Sequence, residues 1–175
     1  MKVFQFLIAI FLFQFILSCC KEVKYFDFDK MTINLSTSQL AVKDTLIVQI
    51  SPTSLRFMSS HLSDFGFNSV LAFDCDNGWC GMKFPFEKIE ITSDKDFNNT
   101  HLSNTLLNDL FKMSLYKGQN KFDLSPIVLS EIKGGELMLV LSERPTIEKK
   151  QSFKIKLTKS NKEEIVVETS EISWN

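Results

Sequence analysis

The chain predicts a mainly β protein: an antiparallel immunoglobulin-like β-sandwich with one short helix. Three observations predict it. Apolar and polar residues alternate with period two in short runs bounded by turn residues, as half-buried strands require. About seven to nine such runs follow one another, the signature of stacked sheets rather than of alternating strands and helices. One stretch, from Leu102 to Phe111, instead repeats its apolar residues at helical spacing.

The elements follow in order. In Thr32-Ile33-Asn34-Leu35-Ser36 the isoleucine and leucine share a face, and in Thr45-Leu46-Ile47-Val48-Gln49-Ile50 the inward set is Leu46, Val48 and Ile50. Pro52 ends that strand because proline has no N–H for the ladder. Ser69 to Cys75 reads as the next long strand, with a partner leaving Cys80 toward Phe84. Asn77-Gly78 between them is a turn signal, since both residues tolerate positive φ. Phe84 and Phe86 share one parity, Ile89 and Ile91 the other. A single inserted residue near Glu87-Lys88 turns all four inward, which predicts a bulge or strand break there. Pro85 favours an edge or a strand start.

Leu102, Leu106, Leu107, Leu110 and Phe111 predict the helix, with Ser103 as N-cap and Gly118 as stop. Its apolar face would cover one open end of the sheets. Strands resume at Phe122-Asp123-Leu124 and Ile127-Val128-Leu129, on either side of Pro126. Glu136 to Leu141 is apolar on both faces, as a central buried strand must be. Phe153, Ile155 and Leu157 alternate with Lys154, Lys156 and Thr158, and Ser160-Asn161-Lys162 turns into Glu164 to Glu168 as a closing hairpin.

Ahead of this domain, Met1-Lys2 precedes an apolar run from Val3 to Leu17, interrupted by Gln5 and Gln14. A membrane-spanning helix needs roughly 20 apolar residues, so the shorter run reads as a cleaved secretory leader. Ile16-Leu17-Ser18-Cys19 resembles the lipobox of bacterial lipoproteins. The resemblance implies a signal peptide over 1–18, a lipidated Cys19 as the new N-terminus, a tether over 19–29 and the sandwich over 30–175. Two or more acyl chains hold a protein stably on a membrane. Cys20-Lys21-Glu22 behind the lipid site resembles the surface-export signal of Bacteroidota lipoproteins, which implies the cell envelope and its outer membrane. Outward and periplasmic orientations both stay open.

The 175 residues less the 18 of the leader leave 157, enough for one core and too few for two comfortable domains. The 20 basic and 21 acidic residues form no basic block, so nucleic acid is not an expected partner. Cys75 and Cys80 enclose the Asn-Gly turn and are expected to form a disulfide in an oxidising compartment. Half a zinc site is the rival, but it lacks a second cysteine pair, and His61 and His101 are far from ligand spacing.

Trp79, at the hairpin tip, is the candidate ligand-binding residue, a platform for a sugar ring or a partner's apolar side chain, unless it folds down onto the sheet. Trp174 reads as a packing anchor. Asp74-Cys75-Asp76-Asn77-Gly78 resembles the start of a calcium loop, yet its glycine comes one residue early and Pro85 stands where a bidentate glutamate belongs. Asp94, Asp96, Asn98 and Asn99 offer oxygens that suit either a hard cation or their own turn's backbone, the second being favoured. His61 and His101 are the only histidines for a Ser-His-Asp site. Glu87 and Glu90 point to opposite faces of a regular strand and make a poor acid–base pair. No catalytic residue, metal or cofactor is assigned.

Ile89-Glu90-Ile91-Thr92-Ser93-Asp94-Lys95-Asp96-Phe97-Asn98, with Leu106-Leu107-Asn108-Asp109-Leu110-Phe111, resembles a strand, acidic turn and short helix found in small Bacteroidota lipoproteins. The resemblance implies a β-rich envelope domain and carries over no catalytic residue. The expected function is non-catalytic, a binding or structural role at the envelope with a protein or glycan ligand. The alternative is an envelope hydrolase or metal-dependent enzyme with a site assembled from loops.

Overall fold

The structure, a computed structural model, describes residues 25–58, 78, 80–116 and 119–175. They form an antiparallel β-sandwich with one short helix. Strands β1 (Tyr25–Asp27) and β5 (Arg56–Met58) pair with each other. The largest sheet has the order β2-β4-β9-β7-β8, from β2 (Met31–Leu35), β4 (Ile47–Pro52), β7 (Phe111–Tyr116), β8 (Gln119–Asp123) and β9 (Leu137–Leu141). Three strands, β6 (Phe86–Ser93), β11 (Phe153–Lys159) and β12 (Glu164–Glu168), make the second layer in the order β12-β11-β6. A small third sheet joins β3 (Gln39–Leu40), β10 (Lys150–Gln151) and β13 (Ile172–Trp174), and its β13–β3 pair is parallel. The helix, α1, is Pro126–Ser130.

Alternation along each strand builds the core between the layers. Leu46, Val48 and Ile50 are buried, as are Phe153, Ile155 and Leu157 opposite them. Strand β9 lies between β4 and β7, and Leu137, Leu139, Val140 and Leu141 are all buried, in keeping with a sequence apolar on both faces. Phe153 is the aromatic hub. Its ring centroid lies 5.4 Å from Phe111, 6.1 Å from Trp174 and 6.4 Å from Phe97. Strand β2 runs beside β12 around a groove of about 400 Å³ lined by Ile33, Asn34, Leu35, Ser38, Glu168 and Ser170.

The predicted bulge is present at Glu87. Lys88 pairs with Thr158 and Phe86 with Lys159, so Glu87 has no partner residue in the ladder. Phe86, Ile89 and Ile91 all point inward in consequence, and Phe84 is half-buried.

The helix expected from Leu102 to Phe111 is not formed. Asn104 takes φ +61°, and the segment lies along the free edge of β6. The amides of Asn104 and Leu107 donate to the carbonyls of Ser93 and Ile91. Asn108 extends the pairing with its side chain: Oδ1 accepts from the Ile91 amide at 3.0 Å and Nδ2 donates to the Ile89 carbonyl at 2.7 Å. Edge pairing outweighs helical spacing here, and Leu102 and Leu106 remain half exposed while Leu107, Leu110 and Phe111 are buried. The helix α1 instead replaces the strand expected at Ile127-Val128-Leu129. Ser125 caps it through its side chain, and Pro126 stands at the first position, where its missing N–H has no partner to lose.

The strand expected from Cys80 to Phe84 reduces to one bridge. Gly81 takes φ +89°, and Met82 lies parallel to Phe26. The expected strand over 69–75 lies outside the described residues. Of the segment read as a tether, 19–24 also lies outside them, whereas 25–27 forms β1, with Phe26 and Phe28 buried.

Candidate functional site

The most unusual constellation surrounds a lysine with no exposed side-chain surface. Strand β11 places Phe153, Ile155 and Leu157 inward, and the same parity carries Lys159 inward after them. Its Nζ lies 2.8 Å from Asp27 Oδ1 and 3.2 Å from Glu163 Oε2, and donates to the Phe28 carbonyl. All three ammonium hydrogens therefore have an acceptor. The Phe28 ring lies beneath the amine, 4.6 Å from Nζ to the centroid. Phe26 stacks on Phe28, and Phe86 closes the other side edge-on. Gly135 permits this packing, because a Cβ there would stand 2.8 Å from Phe28 Cε1.

Asp27 is itself buried between Phe26 and Phe28, and its second oxygen faces Arg56 Nη2 at 3.8 Å across the β1–β5 register. Arg56 also reaches Asp29 at 3.6 Å. Removing one member of such a pair leaves a buried charge uncompensated, at a cost of about 3–5 kcal/mol. The cluster thus locks β1, the first strand of the fold, to β11 in the centre of its layer.

A second polar cluster lies in the turn after β6. Asp94 accepts from the Ser152 amide at 2.7 Å and from its hydroxyl at 3.2 Å, and Asp96 accepts from the Ser103 amide at 2.7 Å. Asn98 Oδ1 accepts from the amides of Thr100 and His101 and from the Thr100 hydroxyl. Asp96 and Asn98 serve the backbone of their own loop, whereas Asp94 ties the turn to Ser152, and among the described residues no group of three or more His, Cys, Asp or Glu is placed to hold a metal.

His101 Nδ1 is 3.0 Å from both Asn98 Oδ1 and Thr100 Oγ1, and Nε2 is 3.1 Å from Asp109. Hydroxyl, imidazole and carboxylate thus stand in the order of a nucleophilic triad. The hydroxyl, though, already donates to Asn98, and the imidazole ties the loop to Asp109. The cavity beside this turn, about 230 Å³, is lined by Thr92, Asp94, Asn104, Ser152, Lys154 and Glu168 among others, and not by His101.

Other residues singled out by sequence fall as follows. Cys19, His61, Asp74, Cys75, Asp76 and Trp79 lie outside the described residues. Cys80 is half-buried and carries no disulfide among the described residues, and Gly78 takes φ +78°, in keeping with a turn. Trp174 is buried against Phe153, as a packing anchor should be. Glu87 and Glu90 stay apart: Glu87 pairs with Lys162, and Glu90 with Lys88 and Lys156 at 2.9 Å each. Hydrogen bonds from Lys88 and then Lys156 hold the Glu90 carboxyl below its ordinary range, and the same contact with Glu90 raises Lys156.

Sequence reasoning missed the Lys159 cluster. Its signal was present, because Lys159 continues the inward parity of Phe153, Ile155 and Leu157, and Asp27 stands between two buried phenylalanines. The sequence matches no model of a known protein family and no curated protein.

Proposed function

We propose that this chain is a lipid-anchored lipoprotein of the cell envelope whose β-sandwich binds a protein segment or a glycan and catalyses no reaction. The observation that carries this is the join between leader and fold. The secretory leader ends at Ser18, and Tyr25, the first residue of β1, follows Cys19 so closely that the link spans only about 20 Å when fully extended. A lipid on Cys19 would hold the domain against the membrane through a strand whose Phe26 and Phe28 are core residues.

The likeness to small Bacteroidota lipoproteins and an outer-membrane location belong to this proposal. So does a Cys75–Cys80 disulfide, which an oxidising compartment would form and which would contribute about 2 kcal/mol. The ligand would enter the groove between β2 and β12, where two outer strand edges and half-buried Ile33 and Leu35 suit an extended segment. Trp79 would supply an aromatic platform for a sugar.

The test compares intact cells making the native protein with cells making Cys19→Ala. The native protein is expected in the membrane fraction, extracted only by detergent, with Cys19→Ala released. Equal membrane retention of both would remove the lipid anchor. Protease added outside the cells then separates a surface-facing domain, which is digested, from a periplasmic one, which is protected.

A hydrolase is the second reading, favoured by the contact of Thr100, His101 and Asp109. Turnover of ester, amide or glycoside substrates that disappears in His101→Ala would replace the binding proposal.

A further inference from the structure

We propose that Lys159 and Asp27 become joined by an isopeptide bond, a self-formed covalent crosslink between β11 and β1. Three groups needed for such a condensation are in contact. The nucleophile is Lys159 Nζ, held 2.8 Å from the Asp27 carboxylate. The proton carrier is Glu163, whose Oε2 lies 3.2 Å from the same nitrogen. Facing the other oxygen of Asp27 is Arg56 Nη2, at 3.8 Å, where negative charge develops when the carbonyl carbon is attacked.

The ion pair differs from the reactive pair, neutral amine and neutral acid, only by one proton moved along their shared hydrogen bond. Nζ then passes a proton to Glu163 and bonds to Cγ of Asp27, leaving the oxyanion toward Arg56. Collapse of that intermediate breaks the Cγ–Oδ1 bond, and Glu163 returns its proton so that the oxygen leaves as water. Amine plus carboxylic acid give amide plus one water, with no oxidant, reductant or other reactant.

The surroundings favour the step. Lys159 is wholly buried, with its amine over the Phe28 ring, and Asp27 is nearly so, which keeps bulk water from reversing the condensation. Fixed contact replaces a bimolecular encounter. The amide also removes two charges from an interior where each is costly to keep. The consequence is mechanical: among the described residues the backbone of β1 otherwise pairs with three residues of β5 and with Met82 by one bridge, whereas the bond would pass a pull on the N-terminus directly to the centre of a sheet. This bond does not depend on the anchor, and its test is independent of where the protein resides.

Full-length protein is extracted from the producing cells, digested with trypsin and sequenced by tandem mass spectrometry. The expected product joins residues 25–30 to residues 157–162, one water lighter than the two peptides together, with cleavage at Lys159 lost and the fragment ions placing the link on Asp27. Asp27→Ala, Lys159→Arg and Glu163→Ala are each expected to yield the peptides separately. Recovery of the wild-type peptides unlinked and cut at Lys159 would overturn the proposal, whatever the variants do. A link through Asp29 would overturn the assignment to Asp27, and full linkage in Glu163→Ala would overturn the role of Glu163.

Discussion

Phe153→Ala tests whether the aromatic hub holds the layers together. The side chain has no accessible surface, and its ring meets Phe111, Trp174 and Phe97 at centroid distances of 5.4, 6.1 and 6.4 Å. Truncating a buried phenylalanine to alanine costs about 3–5 kcal/mol, through lost transfer energy and the cavity left behind. Each well-oriented aromatic pair adds roughly 0.5–1.5 kcal/mol beyond its area, so three pairs place this site near the top of that range. Phe153→Leu keeps most of the volume and should lose about 1–3 kcal/mol. Val166→Ala, at an exposed position of β12, is the control, expected within about 0.5 kcal/mol of wild type. Urea unfolding followed by circular dichroism gives each value by linear extrapolation, with m unchanged if only the native contacts differ. A loss in Phe153→Ala of less than about 1 kcal/mol, or no larger than the control's, would refute the hub.

Three further outcomes are expected. Deleting Glu87 should preserve the circular dichroism spectrum, because a regular register still points Phe86, Ile89 and Ile91 inward; deleting Glu90 sends Ile89 and Ile91 to opposite faces and should abolish folding. Glu90→Gln should lower stability by about 0.5 kcal/mol at neutral pH, as surface ion pairs do. Because the folded carboxyl is held below its ordinary 4.5, the wild-type advantage is present above that value and vanishes as pH falls through the lower folded value, which urea titrations at several pH values would follow. Asn98→Ala removes the shared acceptor of two amides and a hydroxyl and should cost about 1–2 kcal/mol in the same assay, with loss of amide-exchange protection confined to residues 98–101.

Strands that bury one face were legible because period two leaves a direct trace. Leu46, Val48 and Ile50 show it in β4, and Phe153, Ile155 and Leu157 in β11. The Glu87 bulge was equally legible, as a parity change cannot be reconciled with an uninterrupted strand. Residues 102–111 misled for a physical reason. Leu107 and Leu110 enter the core from turns that Asn108 and neighbouring amides pin to the β6 edge, Phe111 enters it from the start of β7, and together they give the same spacing as a helix. The real helix is a single turn, too short for any periodicity, and only Ser125-Pro126 marks it. Polar residues were weighed as surface groups, so Lys159 and Asp27 escaped notice, although each occupies an inward or core-flanked position.

A buried ion pair is a poor stabiliser compared with apolar residues of similar size, which raises the question of what Lys159 and Asp27 accomplish. The double variant Lys159→Met/Asp27→Leu separates the answers. If the pair is ionic, the double variant removes two buried charges together and should match or exceed wild-type stability, whereas Lys159→Met alone loses about 3–5 kcal/mol. With a covalent bond, the wild type carries a crosslink between residues 132 apart in sequence. Closing a loop of that order lowers the entropy of the unfolded chain by the equivalent of roughly 4–5 kcal/mol, and the double variant would lose that contribution. Wild type should then be the more stable, by far more than packing differences supply, and its unfolded state should be more compact, with a smaller m. Greater stability in the double variant with equal m would leave the pair as an ionic lock on β1. The sign of one difference in unfolding free energy therefore distinguishes a salt bridge from a bond.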